Sequence, residues 1–264
     1  MARSRTRLVT LVVLLLAASG AAGYLYTRSW FSNDEVIEPS QCPVCGKTVP
    51  FKTRKGRRHA ECPSCGAYER HRLMLYYISH QPGLLDPGTA VLHFAPNSGI
   101  ERYLRGREGL TYQTADLYAP ADLKLDLPDI AQPDASWDLV LCYHVLEHVG
   151  DDRKAMAELF RILKPGGKAI LQVPLEVGRD ETDEDPSVTD PAERLRRFGQ
   201  EDHVRFYGVA DFERRLRQAG FEVEAVDYVA QLGPEVVERH RLAREDGDEA
   251  MPDERIFVVT KPGR

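Results

Sequence analysis

Several things are scarce in this sequence, and each scarcity excludes something. With 264 residues there is not enough chain for two large domains, only for one full α/β domain plus a small appendage. At 42% hydrophobic and 29% charged residues, the chain lacks the apolar excess of a multi-span membrane protein and the polar excess of a disordered one. No three-glycine dinucleotide fingerprint is present. Net positive charge is missing from the body: of the overall −6, residues 42–72 contribute +6, residues 1–41 contribute +1, and everything from Leu73 onward contributes −13. Duplex nucleic acid is therefore not a partner for the body, whereas the basic collar ahead of it has the charge to touch phosphate or anionic lipid.

Cysteine is also scarce, at five, and four of the five are paired. Cys42-Pro43-Val44-Cys45-Gly46 and Cys62-Pro63-Ser64-Cys65-Gly66 repeat one knuckle, in which glycine permits φ > 0 and backbone N–H groups point at sulfur. The spacing matches four-thiolate zinc sites, and the knuckles resemble zinc ribbons and rubredoxin-type sites. Cys42, Cys45, Cys62 and Cys65 are thus metal ligands, with zinc expected over iron. Four thiolates leave no open coordination position, so the role is structural. Disulfides are the alternative for an exported protein. Cys142, alone, reads as a small buried hydrophobe.

One apolar run is long. Residues 8–26 follow Arg3, Arg5 and Arg7 and approach the ~20 residues that cross a ~30 Å hydrocarbon core. Tyr24, Tyr26 and Trp30 sit where an interfacial aromatic belt would sit. The expectation is a single-pass membrane anchor over residues 1–30, with a cleaved signal peptide as rival. The N-terminal arginines favour an outside body. Thiols that must stay reduced, and a basic collar suited to inner-leaflet lipid, favour a cytoplasm-facing one, which is the expectation adopted. A polar linker over residues 31–41 leads to the zinc-ribbon-like module and its connecting helix, residues 42–80. In that helix Arg70 and Arg72 read as solvated charges, with a phosphate or carboxylate contact as the alternative.

From residue 86 to 264 strands alternate with helices: strands at 90–94, 111–116, 138–143, 168–173, 221–228 and 255–260, helices at 100–105, 152–163 and 211–219. The pattern predicts a Rossmann-like, doubly wound, mostly parallel sheet with ligands beyond the carboxyl ends of its strands. Asn97, Asp116, Asp126 and His144 fall at or just after such ends. Alone each is weak: Asp116 reads equally as a turn aspartate, Asp126 as a turn cap.

The combination is specific. The order of the loop through Gly99, then Asp116, Asp126-Leu127, the block Trp137–Val149, and Glu158-Leu159-Phe160-Arg161-Ile162-Leu163-Lys164-Pro165-Gly166-Gly167 resembles class I S-adenosylmethionine-dependent methyltransferases of the type 11 group. Gly199–Gly208 and Gln218-Ala219-Gly220-Phe221 look like that group's later blocks. The ribbon with Glu69-Arg70-His71-Arg72 resembles an amino-terminal module of some of these enzymes. Where the family has an acidic residue and two early glycines, this chain has His93, Ala95 and Asn97. The resemblance implies a cofactor site with Ala95, Asn97 and Gly99 under the methionine part, Asp116 at the ribose, and Asp126 with the Leu127 backbone at the adenine. His144 and His203 are the candidate bases. The implied acceptor is a small or lipid-linked molecule, with RNA disfavoured by the acidic body; the oligomeric state is left open. Two other classes fit parts of the sequence. One is a membrane-tethered ribbon that binds RNA or protein beside an inactive sheet domain. The other is a zinc peptidase built on His144-Val145-Leu146-Glu147-His148. The acidic run at residues 179–190 reads as a mobile loop over the acceptor or a solvated insertion, and residues 231–254 as a lid or surface helix.

Overall fold

A computed structural model describes residues 38–175, 178–244 and 255–263. The first four strands form two hairpins: β1 (Ser40–Gln41) with β2 (Thr48–Val49), and β3 (Lys52–Arg54) with β4 (Arg57–Glu61). Then follow α1 (Glu69–His80), β5 (Ala90–Phe94), α2 (Ser98–Arg105), β6 (Thr111–Asp116), β7 (Leu123–Lys124) and β8 (Trp137–Tyr143). After a 3-10 turn at Leu146–His148 come α3 (Asp152–Ile162), β9 (Leu163–Gln172), β10 (Asp183–Glu184), α4 (Pro191–Phe198), β11 (Arg205–Phe206) and α5 (Val209–Gln218). The chain closes with β12 (Glu222–Val226), α6 (Tyr228–Gln231), α7 (Pro234–His240) and β13 (Ile256–Thr260).

Seven strands make one sheet in the order β12-β13-β9-β8-β5-β6-β7. The five from β9 to β7 are parallel, and β13 runs against both of its neighbours. From β5 the chain winds outward through β6 and β7, then returns to β8 and winds the other way. The switch point therefore lies between β5 and β8, where open α/β sheets bind ligands.

The period-2 pattern of the strands feeds two cores. Val91, Leu139, Leu141, Tyr143, Ile170 and Val258 face one side, with Leu73, Met74 and Ile78 of α1 and Ile100 and Leu104 of α2. Leu92, Phe94, Val140, Cys142, Leu171 and Phe257 face the other, with Met156, Leu159 and Ile162 of α3 and Phe212 and Leu216 of α5. Each fully buried side chain of this kind contributes about 1.5–3 kcal/mol. The cysteine-bearing hairpins belong to the first core through Val44, Phe51 and Ala67, so they are packed onto the sheet rather than tethered to it.

Arg72 makes that junction, and neither sequence reading of it holds. It is 0% exposed and donates to the carbonyls of His59, Ala60, Ala67 and Arg241 at 2.6–3.1 Å. A buried guanidinium is affordable here because its fork meets backbone oxygens on every side.

The membrane expectation is corrected. No helix among the described residues is long and apolar enough to cross a membrane. The longest, α1, has 12 residues, about 18 Å at 1.5 Å per residue against a ~30 Å core. The expected anchor over residues 1–30, and the linker up to residue 37, lie outside the described residues. The single-pass, cytoplasm-facing localisation thus has no spanning helix to stand on.

Candidate active site

The four paired cysteines converge. Cys42 and Cys65 sulfurs lie 3.7 Å apart, Cys45 and Cys62 sulfurs 3.8 Å, and all four fall within 4.8 Å of one another. Tetrahedral zinc with ~2.3 Å bonds demands sulfurs about 3.8 Å apart, whereas a disulfide needs ~2.05 Å; all five cysteines are free. The two knuckles are superimposable in their bonding. Gly46 N donates to Cys42 O and Gly66 N to Cys62 O, at 2.8 and 2.9 Å, each glycine sitting near φ +70°.

On the β5–β6–β7 side of the carboxyl edge stand the residues singled out for a cofactor. Ala95 turns the chain off β5 at φ +45° and donates its N–H to Ala115 O. Asn97 caps α2, its Oδ1 accepting from Gly99 N at 3.0 Å. Gly99 is glycine for a reason the sequence hides: a Cβ there would lie 2.8 Å from Val44 Cγ1 and 3.2 Å from Cys65 Cβ. The cysteine knuckles rest directly on the first turn of α2. Asp116 ends β6 and uses one oxygen, Oδ1, to accept from Tyr118 N and Ala119 N, both at 2.7 Å, which leaves Oδ2 for a ligand. Asp126 is exposed. Leu127 is buried at 4% in the second core, so only its backbone faces the edge.

On the β8–β9 side stand the histidines. His144 follows β8 in the left-handed region, φ +52°, a strained placement for a residue with a Cβ. Its N–H donates to Gln172 O at 2.8 Å, and its Nδ1 donates to Glu147 Oε1 at 3.1 Å. Burial pushes the Glu147 carboxyl up, but the His144 hydrogen bond and charge outweigh it and hold the group below its usual range. A carboxylate on Nδ1 fixes the tautomer and leaves Nε2 as the basic nitrogen. His203 is only 3% exposed. Its Nδ1 donates to Phe198 O at 2.8 Å, its Nε2 meets the Gln200 amide, and burial lowers its pKa.

The peptidase geometry does not assemble. Leu146–His148 is a 3-10 turn and His144 lies outside it, so His144 and His148 do not share a helical face. Glu147, His148 and His203 do come within 4.8 Å. Each already has a protein partner: His144 for Glu147, Asp202 for His148 at 3.2 Å, and Phe198 and Gln200 for His203.

The later sequence block explains itself as support. Arg205, buried, donates to the carbonyls of Leu146, Val149 and Gly150, and Val204 N donates to Glu147 O at 2.9 Å. The loop that carries His144 and Glu147 is thereby clamped from behind. The acidic run is clamped too. Asp183 and Glu184 pair with β11, Arg197 holds Asp183 and Asp185, and Arg215 holds Glu184. It lines no part of the cavity described next, unlike the mobile cover expected. Within residues 231–254, α7 packs on β1: His240 Nδ1 donates to Gln41 O and Arg241 to Ser40 Oγ, both at 3.0 Å. Residues 245–254 lie outside the described set.

A cavity of roughly 560 Å³ opens over β8 and β9. The sheet contributes Gln172, Val173 and Pro174, and the loops contribute His144, His148 and His203. The opposite wall is one the sequence reading did not foresee: Arg54, Lys55 and Arg57 of the β3–β4 hairpin, Tyr68 and Arg70 at the start of α1, and Arg244. The signal was the +6 collar, which was legible as charge but not as a wall.

Residues 67–226 match the family described as a methyltransferase domain. Over 203 residues the chain is 31% identical to the Mycolicibacterium smegmatis protein named "Probable S-adenosylmethionine-dependent methyltransferase", covering 70% of this chain and 68% of that one. Over 110 residues it is 32% identical to 27-O-demethylrifamycin SV methyltransferase of Amycolatopsis mediterranei, covering 40% of this chain and 37% of that one. Among solved structures, Haemonchus contortus phosphoethanolamine N-methyltransferase 2 with S-adenosylmethionine aligns at 16% identity and a TM-score of 0.48, over 77% of this chain and 54% of that one.

Proposed function

The chain belongs to the S-adenosylmethionine-dependent methyltransferases, and on that premise we propose that it methylates a small-molecule acceptor held in the cavity over β8 and β9. When bound, S-adenosylmethionine supplies an electrophilic methyl on a sulfonium centre. The protein's task is then to align a nucleophile and remove its proton. Asp116 Oδ2 is the acceptor for ribose hydroxyls, because Oδ1 is spent on its own loop. The Ala95–Gly99 loop opens a helix N-terminus to the amino-acid part of the cofactor, and Asp126 with the Leu127 backbone serves the adenine.

His144 is the general base, and the observation that carries this reading is its hydrogen bond to buried Glu147, which points the basic nitrogen away from the protein's own carboxylate at the switch point of the sheet. His203, with both ring nitrogens engaged, positions the loop and does not take the proton. The four thiolates hold one structural zinc, a reading supported by sulfur separations of 3.7 and 3.8 Å.

Two measurements on the full chain test this. Calorimetry should detect S-adenosylmethionine binding, and no binding at millimolar concentration would remove the methyltransferase reading in favour of an inactive domain. Elemental analysis should return one zinc per chain, lost in Cys42→Ser and kept in His148→Ala. A second zinc that disappears with His148 would reopen the metallopeptidase alternative.

A further inference from the structure

The loop assigned to the amino-acid part of the cofactor does not stand on the sheet alone. Its helix, α2, starts at Ser98 under the Asn97 cap, and both cysteine knuckles cover its first turn. Val44, between the two ligands of the first knuckle, and Cys65, a ligand of the second, are the side chains that a Cβ at Gly99 would strike, at 2.8 and 3.2 Å. Gly99 does not lie in the left-handed region, so this closeness, not backbone conformation, calls for glycine. Asn97 ties the same parts together through the two ends of one amide. Its Oδ1 accepts from Gly99 N at 3.0 Å, and its Nδ2 donates to Gly66 O at 3.5 Å. Gly66 in turn closes the second knuckle by donating to Cys62 O. The β1–β2 and β3–β4 hairpins are separate two-stranded sheets, so no strand ladder joins the knuckles. The sulfurs that meet, Cys42 with Cys65 and Cys45 with Cys62, cross from one knuckle to the other. A zinc ion bonded to all four therefore sets the spacing of Val44 and Cys65, and its binding free energy is folding free energy for this part of the chain.

Resting on the methyltransferase and structural-zinc readings, we infer that Val44, Cys65 and Gly66 are positioning residues of the cofactor site, so that zinc and S-adenosylmethionine bind cooperatively. With zinc in place, the knuckles hold the first turn of α2 and the Asn97 cap in one arrangement. The helix N–H groups that receive the cofactor's amino-acid part are then oriented before it arrives. Without zinc, Val44 and Cys65 are no longer fixed against Gly99, and the Asn97 amide loses one of its two anchors. The cofactor must then order the turn as it binds, which costs affinity. Coupling of this kind is reciprocal: the factor that zinc adds to cofactor affinity, the cofactor adds to zinc affinity. The metal is structural for the cofactor site and not only for its own module.

Calorimetry on the full chain tests this, with S-adenosylmethionine titrated into the zinc-loaded protein and into protein stripped with EDTA. Zinc removal should weaken cofactor binding by about tenfold or more, inside the range of ordinary coupling. Where the stripped chain does not keep its fold, the reciprocal measurement decides: the free EDTA concentration that withdraws half the zinc should rise by a comparable factor when cofactor saturates the chain. Two variants separate positioning from general stability. Val44→Ala clears the contact with Gly99 and should cut the coupling factor by about threefold or more while zinc stays bound. Phe51→Leu thins the same core where the Phe51 ring lies 4.5 Å from the Arg72 guanidinium, and Phe51 is not among the atoms nearest Gly99. That variant should lower the melting temperature yet keep the coupling. Cofactor affinity indifferent to zinc, or equal loss of coupling in both variants, overturns the inference and leaves both underlying readings standing. A zinc-loaded chain that binds no cofactor, or a chain that holds no metal, strikes the corresponding reading and this inference with it.

Discussion

The two halves of the carboxyl edge are built on opposite plans. On the β5–β6–β7 half the prominent charges are carboxylates: Asp116 folds its own loop, and Asp122 takes Thr114 N and Arg105. This half is made by the sheet and the first turn of α2. On the β8–β9 half the prominent groups are three histidines, and the facing wall is cationic and borrowed from the ribbon. The doubly wound sheet makes the first half with the cysteine knuckles packed on the first turn of α2, and the β3–β4 hairpin helps to line the second.

The sharpest way to break this division is to damage one half and read both. His144→Asn should lower kcat with any acceptor that turns over by about 10²–10⁴-fold, the range for losing a positioned base. Cofactor affinity should stay within about threefold. If kcat and cofactor affinity fall together, the two halves are not separate. A smaller effect is expected on the other side. Asp116→Ala should weaken cofactor binding by about 1.5–3 kcal/mol, since it removes a charged acceptor. Asp116→Asn should lose less, because its remaining carbonyl still accepts from Tyr118 N and Ala119 N and keeps the loop. Calorimetry on both variants checks it, and an Asn variant as weak as Ala would mean that the charge matters and the turn does not.

The elements were legible where periodicity and punctuation agreed. Ala90–Phe94 follows from an apolar run closed by a turn, and α3, expected over 152–163, is found at Asp152–Ile162 with Asp151 as its cap, accepting from Lys154 N. The β9 strand begins earlier than read, at Leu163, because the Pro165-Gly166-Gly167 stretch is carried in a register shift against Trp137 and not in a loop. The cysteine cluster was legible since metal spacing is local. The cationic side of the cavity was not, because Lys55 and His144 are 89 positions apart in sequence and only the fold joins them. Gly99 is the clearest case: its spacing matched a cofactor loop, yet the contact that excludes a Cβ is Val44 of the ribbon. Arg72 misled in the opposite direction, since a charge flanked by Arg70 and a helix reads as solvated, and only tertiary structure supplies five acceptor contacts.

The smallest expected effect separates His93 on β5 from His144, just past the end of neighbouring β8. His93 stands on β5, is 1% exposed, and pairs through Nδ1 with Tyr112 Oη at 3.0 Å. Burial drives its pKa down to about 3, so the folded protein keeps it neutral while the unfolded chain takes up a proton from about pH 6.5 downward. The unfolded state then binds more protons, and stability falls as pH drops. The loss is about 1.4 kcal/mol per unit, or roughly 2 kcal/mol by pH 5. His203 shifts in the same direction, and carboxylates held low by arginine, such as Glu158 and Glu184, add their share only further down. Between pH 6.5 and 5, then, His93→Gln should flatten the fall in urea-measured stability by about one proton while leaving the pH profile of kcat unchanged. His144→Asn should do the converse, lowering kcat while the stability slope persists. Should His93→Gln reshape the activity profile, the β5 histidine would belong to the chemistry, and the division between the two halves would have to be redrawn through the cofactor side.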